Sequence, residues 1–145
     1  MTIPFLKVRD NAKEPIYATK GAAAADLHAA LNEETVIAPG ERKIIPTGLA
    51  VALPEGYVAL LFARSGLAFK HGLALANGVG VIDSDYRGEI GAAVVNLSDK
   101  PYAVQPGERI CQMMILPVEQ FAFTAVESLP ESERGAGGFG STGKQ

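Results

Sequence analysis

Residues 39–63, PGERKIIPTGLAVALPEGYVALLFA, alternate apolar runs of strand length with turns that contain proline and glycine. Isoleucine, valine, leucine and aromatic residues favour a pleated strand, whereas proline and glycine supply the backbone angles that turns need. This stretch therefore predicts one strand over residues 43–53 and another over residues 57–63, separated by the turn at 54–56.

The same pattern continues towards the C-terminus. Apolar runs at 88–97 and 109–117 have the same character, and a Pro-Gly turn at 106–107 precedes the second of them. Helical signals are weak: SGLAFKH at 65–71 predicts one or two turns, with Ser65 as the N-cap. Four alanines at 22–25 are too few to nucleate a helix alone. The pattern predicts an all-β fold, an antiparallel sandwich or barrel, with one short helix.

Two of the predicted strands are apolar on both faces, at 48–53 and at 91–95. A strand with one face in water normally alternates apolar and polar residues. The loss of that alternation suggests that other subunits cover the outer faces, so we expect a homo-oligomer.

Length and composition exclude several classes of protein. The 145 residues suffice for one ordinary domain. The net charge of −3 lacks the basic excess that long nucleic acids require, so no nucleic-acid polymer is expected as a partner. The N-terminus reaches charged residues too soon for a secretory signal, and no apolar run would span a membrane. Cys111, the only cysteine, cannot form an internal disulfide. A cytoplasmic location is the default expectation.

The composition changes after Pro130, where ESERGAGGFGSTGKQ contains five glycines and one large apolar side chain. We therefore divide the chain into a domain over residues 1–130 and a flexible arm over residues 131–145. One interpretation of the arm is a solvated terminus. The other is an anion-binding closing segment, with Arg134, Ser141 and Thr142 as donors and Phe139 as a lid over a flat ligand.

Residues 77–89, NGVGVIDSDYRGE, place charged side chains around Tyr86 in an otherwise apolar region. A hairpin with a polar turn would explain the segment, because Asp-Ser-Asp is acceptable turn chemistry. An aspartate that ends an apolar strand, here Asp83, is equally well placed to act as a general base. The residues alone leave both interpretations open.

Three further polar residues are candidates for a site. Arg64 follows an apolar strand and either points to water or forms an anion site with Ser65 and backbone N–H groups. Asp26, among small apolar residues, either caps a helix or contacts the hydration shell of a metal. Gln112 lies in an apolar strand and either pairs with the backbone or faces a site.

Five segments, in their order along the chain, resemble the five motifs of the trimeric deoxyuridine triphosphatases. They are AADLHAA, ARSGLA, NGVGVIDSDYRGE, ERICQM and RGAGGFGSTG, and they extend over about residues 22–143. The resemblance implies a distorted jelly-roll-like β-barrel (a β-clip) with one short helix and a flexible C-terminal arm. It also implies a homotrimer with active sites at the subunit interfaces.

The resemblance also implies a reaction. The family hydrolyses dUTP to dUMP and pyrophosphate by Mg²⁺-assisted attack of water on the α-phosphate, which keeps uracil out of DNA and supplies dUMP for thymidylate synthesis. Asp83 matches the catalytic base, and Asp26 matches the acid that contacts Mg²⁺ through water. The positions that match substrate-binding residues are Arg64, Ser65, Gly66, Asn77, Gly80, Val81, Ile82, Tyr86, Gly91, Gln112, Arg134, Phe139, Gly140, Ser141 and Thr142.

Two alternatives make different demands on the sequence. A dCTP deaminase shares the general fold but needs a different acid beside the base and normally lacks the glycine-rich arm. A module that binds dUTP only to signal to a partner would be marked by an altered Asp83 or a lost arm. The presence of Asp83 and of GGFGSTG argues against both, and against a purely structural trimer.

Overall fold

The computed structural model describes residues 2–138, which form eleven β-strands and one short helix. The strands, in chain order, are β1 (Phe5–Lys7), β2 (Ala25–His28), β3 (Thr35–Ile37), β4 (Arg42–Pro46), β5 (Leu49–Val51), β6 (Tyr57–Ala63), β7 (Leu73–Leu75), β8 (Gly80–Ile82), β9 (Gly91–Asn96), β10 (Tyr102–Val104) and β11 (Arg109–Pro117). The helix, α1 (Ser65–His71), lies between β6 and β7. The predicted all-β fold with one short helix is confirmed.

All strand pairs are antiparallel and form four sheets. The largest sheet has the order β2-β11-β6-β8, a second has the order β4-β9-β7, and β1-β5 and β10-β3 form two-stranded sheets. A barrel requires every strand to have a neighbour on both edges. Within residues 2–138 each sheet has two open edges, so the pairings do not close the barrel that the sequence led us to expect.

Strands β6 and β11 form the centre of the largest sheet and have the predicted boundaries. They pair from Cys111 opposite Ala63 to Pro117 opposite Tyr57, and the other edge of β11 pairs with β2. One apolar core packs beneath strands of all four sheets, and its largest fully buried aliphatic side chains are Leu27, Ile37, Ile45, Leu49, Ile90, Ile110, Val94 and Val104.

The prediction of one continuous strand over residues 43–53 is wrong, because Thr47 and Gly48 separate two strands, β4 and β5. Strand β4 before the break pairs with β9, whereas β5 after it pairs with β1. Gly48 has a φ of 71°, in the left-handed region that disfavours side chains. A Cβ at this position would lie 2.5 Å from the Cβ of Ala12. The apolar pattern hides this break because apolar residues lie on both sides of it, although only β5 is fully buried and Ile44 in β4 is exposed.

Replacement of Gly48 by alanine should lower the free energy of unfolding by about 2–5 kcal/mol, the sum of backbone strain and overpacking. Gly40 is the matched control, since its φ of 74° is similar but an added Cβ would meet nothing within 4 Å. Gly40→Ala should cost only the backbone strain, about 1–2 kcal/mol. Urea unfolding at one protein concentration measures the free energy of unfolding of both variants. Equal losses of stability in Gly48→Ala and Gly40→Ala would show that the contact with Ala12 is unimportant.

Helix α1 has the predicted boundaries, but its predicted N-cap is wrong. Arg64 occupies the cap position with extended backbone and makes no side-chain capping bond, so Ser65 is the first helical residue. The helix ends at Gly72, whose left-handed backbone allows its N–H to bond the carbonyls of Leu67 and Ala68. In the described part of the chain, no helix has the length and apolar character needed to cross a membrane.

The C-terminal part of the described chain leaves the sheets earlier than the predicted division at residue 130. Strand β11 ends at Pro117, and the N–H of Val118 bonds the carbonyl of Gly56 at 2.9 Å. Residues 119–136 are exposed. The division into 1–130 and 131–145 stays a prediction. Residues 139–145 of the arm lie outside the described residues, and four predicted site residues are among them: Phe139, Gly140, Ser141 and Thr142.

Candidate active site

A cleft of about 300 Å³ lies beside the segment that follows β8. This volume is at the lower end of the range for small-molecule sites. Its walls combine an apolar floor with two carboxylates and one phenol, and the lining residues are Ile44, Val81, Ile82, Asp83, Tyr86, Glu89, Ile90 and Gly91. The cleft therefore offers a flat apolar surface next to polar groups.

The cleft lies between two sheets and not inside a hairpin. Strand β8 pairs with β6, whereas β9 pairs with β4 and β7, so β8 and β9 are not hydrogen-bonded to each other. The hairpin interpretation of residues 77–89 therefore has no strand pairing of β8 with β9 behind it. Gly91 lies against β4, since a Cβ there would come 2.6 Å from Cγ2 of Ile44. This close approach brings Ile44 to the wall of the cleft.

Hydrogen bonds and close packing within its own loop hold Tyr86 in place. Its N–H bonds the carbonyl of Asp83 at 3.2 Å, and its hydroxyl donates to the carbonyl of Glu89 at 3.0 Å. A Cβ on Gly88 would lie 2.4 Å from the Tyr86 hydroxyl, so only glycine leaves room for the ring. The loop thus fixes the ring at the edge of the cleft.

Asp83 is exposed where β8 ends, and its side chain borders two depressions. One is the 300 Å³ cleft, and the other is a wider groove of about 990 Å³. Within residues 2–138, the carboxylate of Asp83 takes part in none of the ion pairs. Such a carboxylate is free to accept a hydrogen bond from a water molecule or a ligand in the cleft.

Asp26 forms the centre of a second polar group at the other end of the largest sheet. It lies in β2 rather than at a helix end, so the helix-cap alternative is wrong. Its Oδ1 accepts from Nε of Arg64 and its Oδ2 from a terminal nitrogen of Arg109, both at 3.0 Å. The carboxylate side chain is only 10 % exposed. Its pairing with two arginines compensates for that burial.

Gln112 pairs with the backbone, as one of its two interpretations predicted. Its Nε2 donates to the carbonyl of Ala63 at 3.1 Å, immediately before Arg64. Gln112 also lies opposite Asp26 in the register between β11 and β2. Its neighbour Cys111 is fully buried, and burial raises the pKa of that thiol to about 12. Cys111 is therefore a core residue.

The two polar groups do not meet within one chain. Ile82 pairs with Ala59, so Asp83 lies across from Val58, near the start of β6, whereas Arg64 follows the end of the same strand. At about 3.3 Å per residue, the separation is about 20 Å. The structure thus brings together Asp26, Arg64 and Gln112, and separately Asp83 and Tyr86, but not the two sets.

The remaining predicted residues are exposed or form supporting backbone. Ser65 and Gly66 are exposed in the first turn of α1, and Asn77 is exposed in the turn before β8. Gly80 is buried, and a Cβ on it would come within 3.0 Å of the Cβ of Leu61. Arg134 is exposed in a turn whose backbone bonds join Ser132 to Gly135 and Arg134 to Gly137.

Sequence reasoning missed several neighbours of the predicted residues. Arg109 was treated only as the start of a strand, although it pairs with Asp26. Ile44 and Ile90 line the cleft, and no local signal marks them because their positions depend on sheet pairing. The sequence pattern of residues 77–89 indicates no specific role for Glu89. Its side chain pairs with Arg9, which no motif indicated.

Comparisons with known proteins identify the family. The dUTPase family model matches residues 10–143. A deoxyuridine 5'-triphosphate nucleotidohydrolase of Desulfitobacterium hafniense is 56% identical over 97% of this chain and 94% of its own. One of Neisseria meningitidis serogroup A is 54% identical over 89% of this chain and 87% of its own.

Solved structures agree with the sequence comparison. A mutant dUTPase of Staphylococcus bacteriophage 80alpha, solved with dUpNHpp, has a TM-score of 0.89 and 32% identity and covers 98% of each chain. A mutant dUTPase of the S. aureus phage phi11, described with a structural Mg(II) ion, has a TM-score of 0.82 and 27% identity over 90% of this chain and 100% of its own.

The relatives are nucleotidohydrolases, enzymes that cleave the phosphate chain of a nucleotide. The chain belongs to the dUTPase family, and the resemblance of its five motifs is confirmed. Like those relatives, it is an enzyme, a dUTP diphosphatase.

Proposed function

We propose that this enzyme hydrolyses dUTP to dUMP and pyrophosphate by attack of water on the α-phosphate, with Asp83 as the general base. The proposal depends on one observation, the exposed carboxylate at the rim of a cleft large enough for a nucleoside. A general base must lie within hydrogen-bond reach of the proton that it removes. A related phage dUTPase was solved with dUpNHpp, which supports a nucleotide as the ligand of this enzyme.

The cleft would select uracil and deoxyribose by shape and by pairing. Backbone groups of Gly80, Val81, Ile82 and Gly91, with the side chain of Asn77, would contact the base. A close fit would exclude the 5-methyl group of thymine. Cytosine would leave a polar group unpaired at a cost of about 1–3 kcal/mol, roughly a ten- to hundredfold preference. The ring of Tyr86 would fill the space that a ribose 2′-hydroxyl needs.

The phosphate chain would contact the second polar group. Arg64 is oriented by its bond to Asp26 and its terminal nitrogens could reach phosphate oxygens, because a guanidinium offers five donors. Ser65 and Gly66 would add hydroxyl and backbone donors from the exposed first turn of α1. Gln112, which is bonded to the carbonyl before Arg64, would hold this end of β6 in place or orient the attacking water.

A single carboxylate with both oxygens already bonded does not form a protein cage for a metal. Within residues 2–138, no cluster of three or more histidine, cysteine or acidic side chains has the geometry for one. Each oxygen of Asp26 keeps a second lone pair, so it can accept a hydrogen bond from metal-bound water. This set fits Mg²⁺, which keeps several waters and uses substrate phosphates as ligands. Mg²⁺ there would neutralise charge on the phosphates.

We also propose a homotrimer with active sites at the subunit interfaces and a jelly-roll-like arrangement of strands. Two observations support sites shared between copies. The base and the phosphate-binding group are about 20 Å apart in one chain, farther than a single nucleotide would need. Phe121, Phe123 and Leu129 are 73%, 100% and 82% exposed, respectively, so the segment after β11 has apolar side chains for a neighbouring copy to cover.

The arm over residues 131–145 would complete the site by closing over the β- and γ-phosphates. Arg134 would pair with phosphate oxygens, Gly140, Ser141 and Thr142 would donate hydrogen bonds, and Phe139 would stack on the base. Closure of this kind excludes water and strengthens electrostatic interactions with the phosphates.

Pyrophosphate release from dUTP, dCTP, dTTP and UTP tests the reaction and its specificity in one assay. Release from dUTP alone is the expected result, with turnover dependent on Mg²⁺. Ammonia released from dCTP would instead identify a deaminase, and binding of dUTP without hydrolysis would identify a sensing module. Light scattering should give the mass of three chains. A monomer at micromolar concentration would contradict the shared sites.

In the cell, this reaction would keep uracil out of DNA and supply dUMP for thymidylate synthesis. A cytoplasmic location remains a prediction from the sequence, and fractionation of cells that express the protein would test it.

A further inference from the structure

An ion pair connects the N-terminal segment to the wall of the nucleoside-sized cleft. Nε of Arg9 donates to Oε1 of Glu89 at 2.6 Å, and a terminal nitrogen of Arg9 donates to Oε2 at 3.0 Å. The N–H of Gly48 donates to Oε1 as well, at 2.8 Å. This two-pronged arrangement is the geometry in which arginine holds a carboxylate most firmly. We call Arg9, Glu89 and the Gly48 N–H the clamp.

The clamp lies directly against the residues that shape the cleft. Glu89 lines the cleft, and its carbonyl accepts the hydroxyl hydrogen of Tyr86. The next residue, Ile90, also lines the cleft and is tied to the same turn, because its N–H bonds the carbonyl of Leu49 at 2.7 Å. The position of the Tyr86 ring therefore depends on where Glu89 is held.

The clamp also controls charge in the cleft. Hydrogen bonds from Arg9 lower the pKa of Glu89 although partial burial opposes that shift, so Glu89 is a carboxylate at neutral pH. An uncompensated carboxylate in the wall would repel a nucleotide triphosphate. Arg9 supplies the compensating positive charge. Asp83, at the other end of the loop, is then the acidic residue of the lining that forms no ion pair within residues 2–138.

From this geometry we infer that Arg9 is a positioning residue for the nucleoside cleft, which acts through Glu89 to hold the Tyr86 ring against the sugar. The inference rests on the proposed function, because it assigns a substrate to the cleft. It extends that function to a residue outside all five motifs. Arg9 does not line the cleft itself, so its effect is on affinity and sugar discrimination rather than on the chemical step.

Loss of the clamp has a defined expected signature. In Arg9→Ala, Glu89 keeps only the Gly48 N–H, and the loop can move Tyr86 away from the sugar. KM for dUTP should rise roughly tenfold, the scale of one charge-assisted interaction, and the preference for dUTP over UTP should fall by a similar factor. kcat should stay within about twofold, because Asp83 directly follows β8, whose pairing with β6 does not involve the clamp.

Matched variants separate positioning from general stability. Lys7→Ala removes another ion pair of the same segment, from Lys7 to Glu14 at 3.4 Å, and should leave KM and the dUTP-to-UTP ratio unchanged. Arg9→Lys should restore part of both values, because an ammonium reaches one carboxylate oxygen. Glu89→Gln should resemble Arg9→Ala, and the two changes together should cost less than their sum.

The outcomes distinguish this inference from the proposed function. If wild-type protein releases no pyrophosphate from dUTP, the proposed function fails. Calorimetry with dUMP then tests the effect of the clamp on nucleotide affinity independently of hydrolysis. Weaker dUMP binding by Arg9→Ala than by Lys7→Ala supports the inference. Equal affinities, or no dUMP binding by the wild type, overturn it. It is equally overturned if Arg9→Ala lowers only the melting temperature and leaves KM and the sugar preference unchanged.

Discussion

Asp83→Asn should reduce turnover of dUTP by on the order of 100-fold or more while nucleotide affinity stays close to that of the wild type. Asparagine keeps the size of the side chain and can still contact a water molecule, but it cannot take a proton. The carboxylate is exposed and outside the ion pairs of the described chain, so its loss should not disturb the fold. Single-turnover hydrolysis and calorimetry with dUpNHpp measure the two quantities separately.

Asp99→Asn is the matched control for this change. Asp99 is exposed in the connection between β9 and β10, away from the cleft. Its replacement by asparagine removes one negative charge, as Asp83→Asn does. Its turnover should be that of the wild type. If Asp83→Asn retains near-normal turnover, the base is another group and the mechanism proposed here is wrong.

Deletion of residues 134–145 should leave a folded protein with activity reduced by on the order of 100-fold or more, since enclosed electrostatic contacts to the phosphates are lost. Residues 119–136 are exposed, and the backbone bonds around Arg134 are local to its own turn, so the deletion removes little packing. Pyrophosphate release measures the loss, and thermal unfolding checks the fold.

Single substitutions refine this result. Arg134→Ala should lose a substantial part of the activity that the deletion loses, whereas Glu133→Ala, at the adjacent exposed position, should lose little. Unfolding of the truncated protein would mean that the arm is structural. Full activity after truncation would mean that the site needs no closure.

The sequence predicted best where turns lie directly beside a single continuous strand. Tyr57–Ala63 and Arg109–Pro117 have the predicted ends because Gly56 directly precedes the first strand, the Pro-Gly turn at 106–107 comes just before the second, and Pro117 ends it. It indicated no element over segments whose structure is determined by distant contacts. The alanines before Asp26 favour a helix by propensity, yet residues 25–28 form a strand because they pair with β11.

The same distinction applies to the candidate site. Asp83, Arg64 and Gln112 could be found because polar residues interrupt apolar strands, and their motifs are shared with a known family. The sequence could not predict that these residues lie at two ends of one sheet, because their placement follows from the register of β6 with β8 and β11. The bond from Arg9 to Glu89 joins segments 80 positions apart, and local patterns carry no information on such pairs.

The 20 Å between the two polar groups has a genetic consequence if copies share sites. A chain that has lost its acid at position 83 still carries an intact arginine at position 64. A chain that has lost the arginine still carries the acid. A mixed oligomer of the two mutant chains would contain some active sites in which Asp83 comes from one chain and Arg64 from the other, so that both residues are intact. Two alleles, each null by itself, would then complement each other when expressed in one cell.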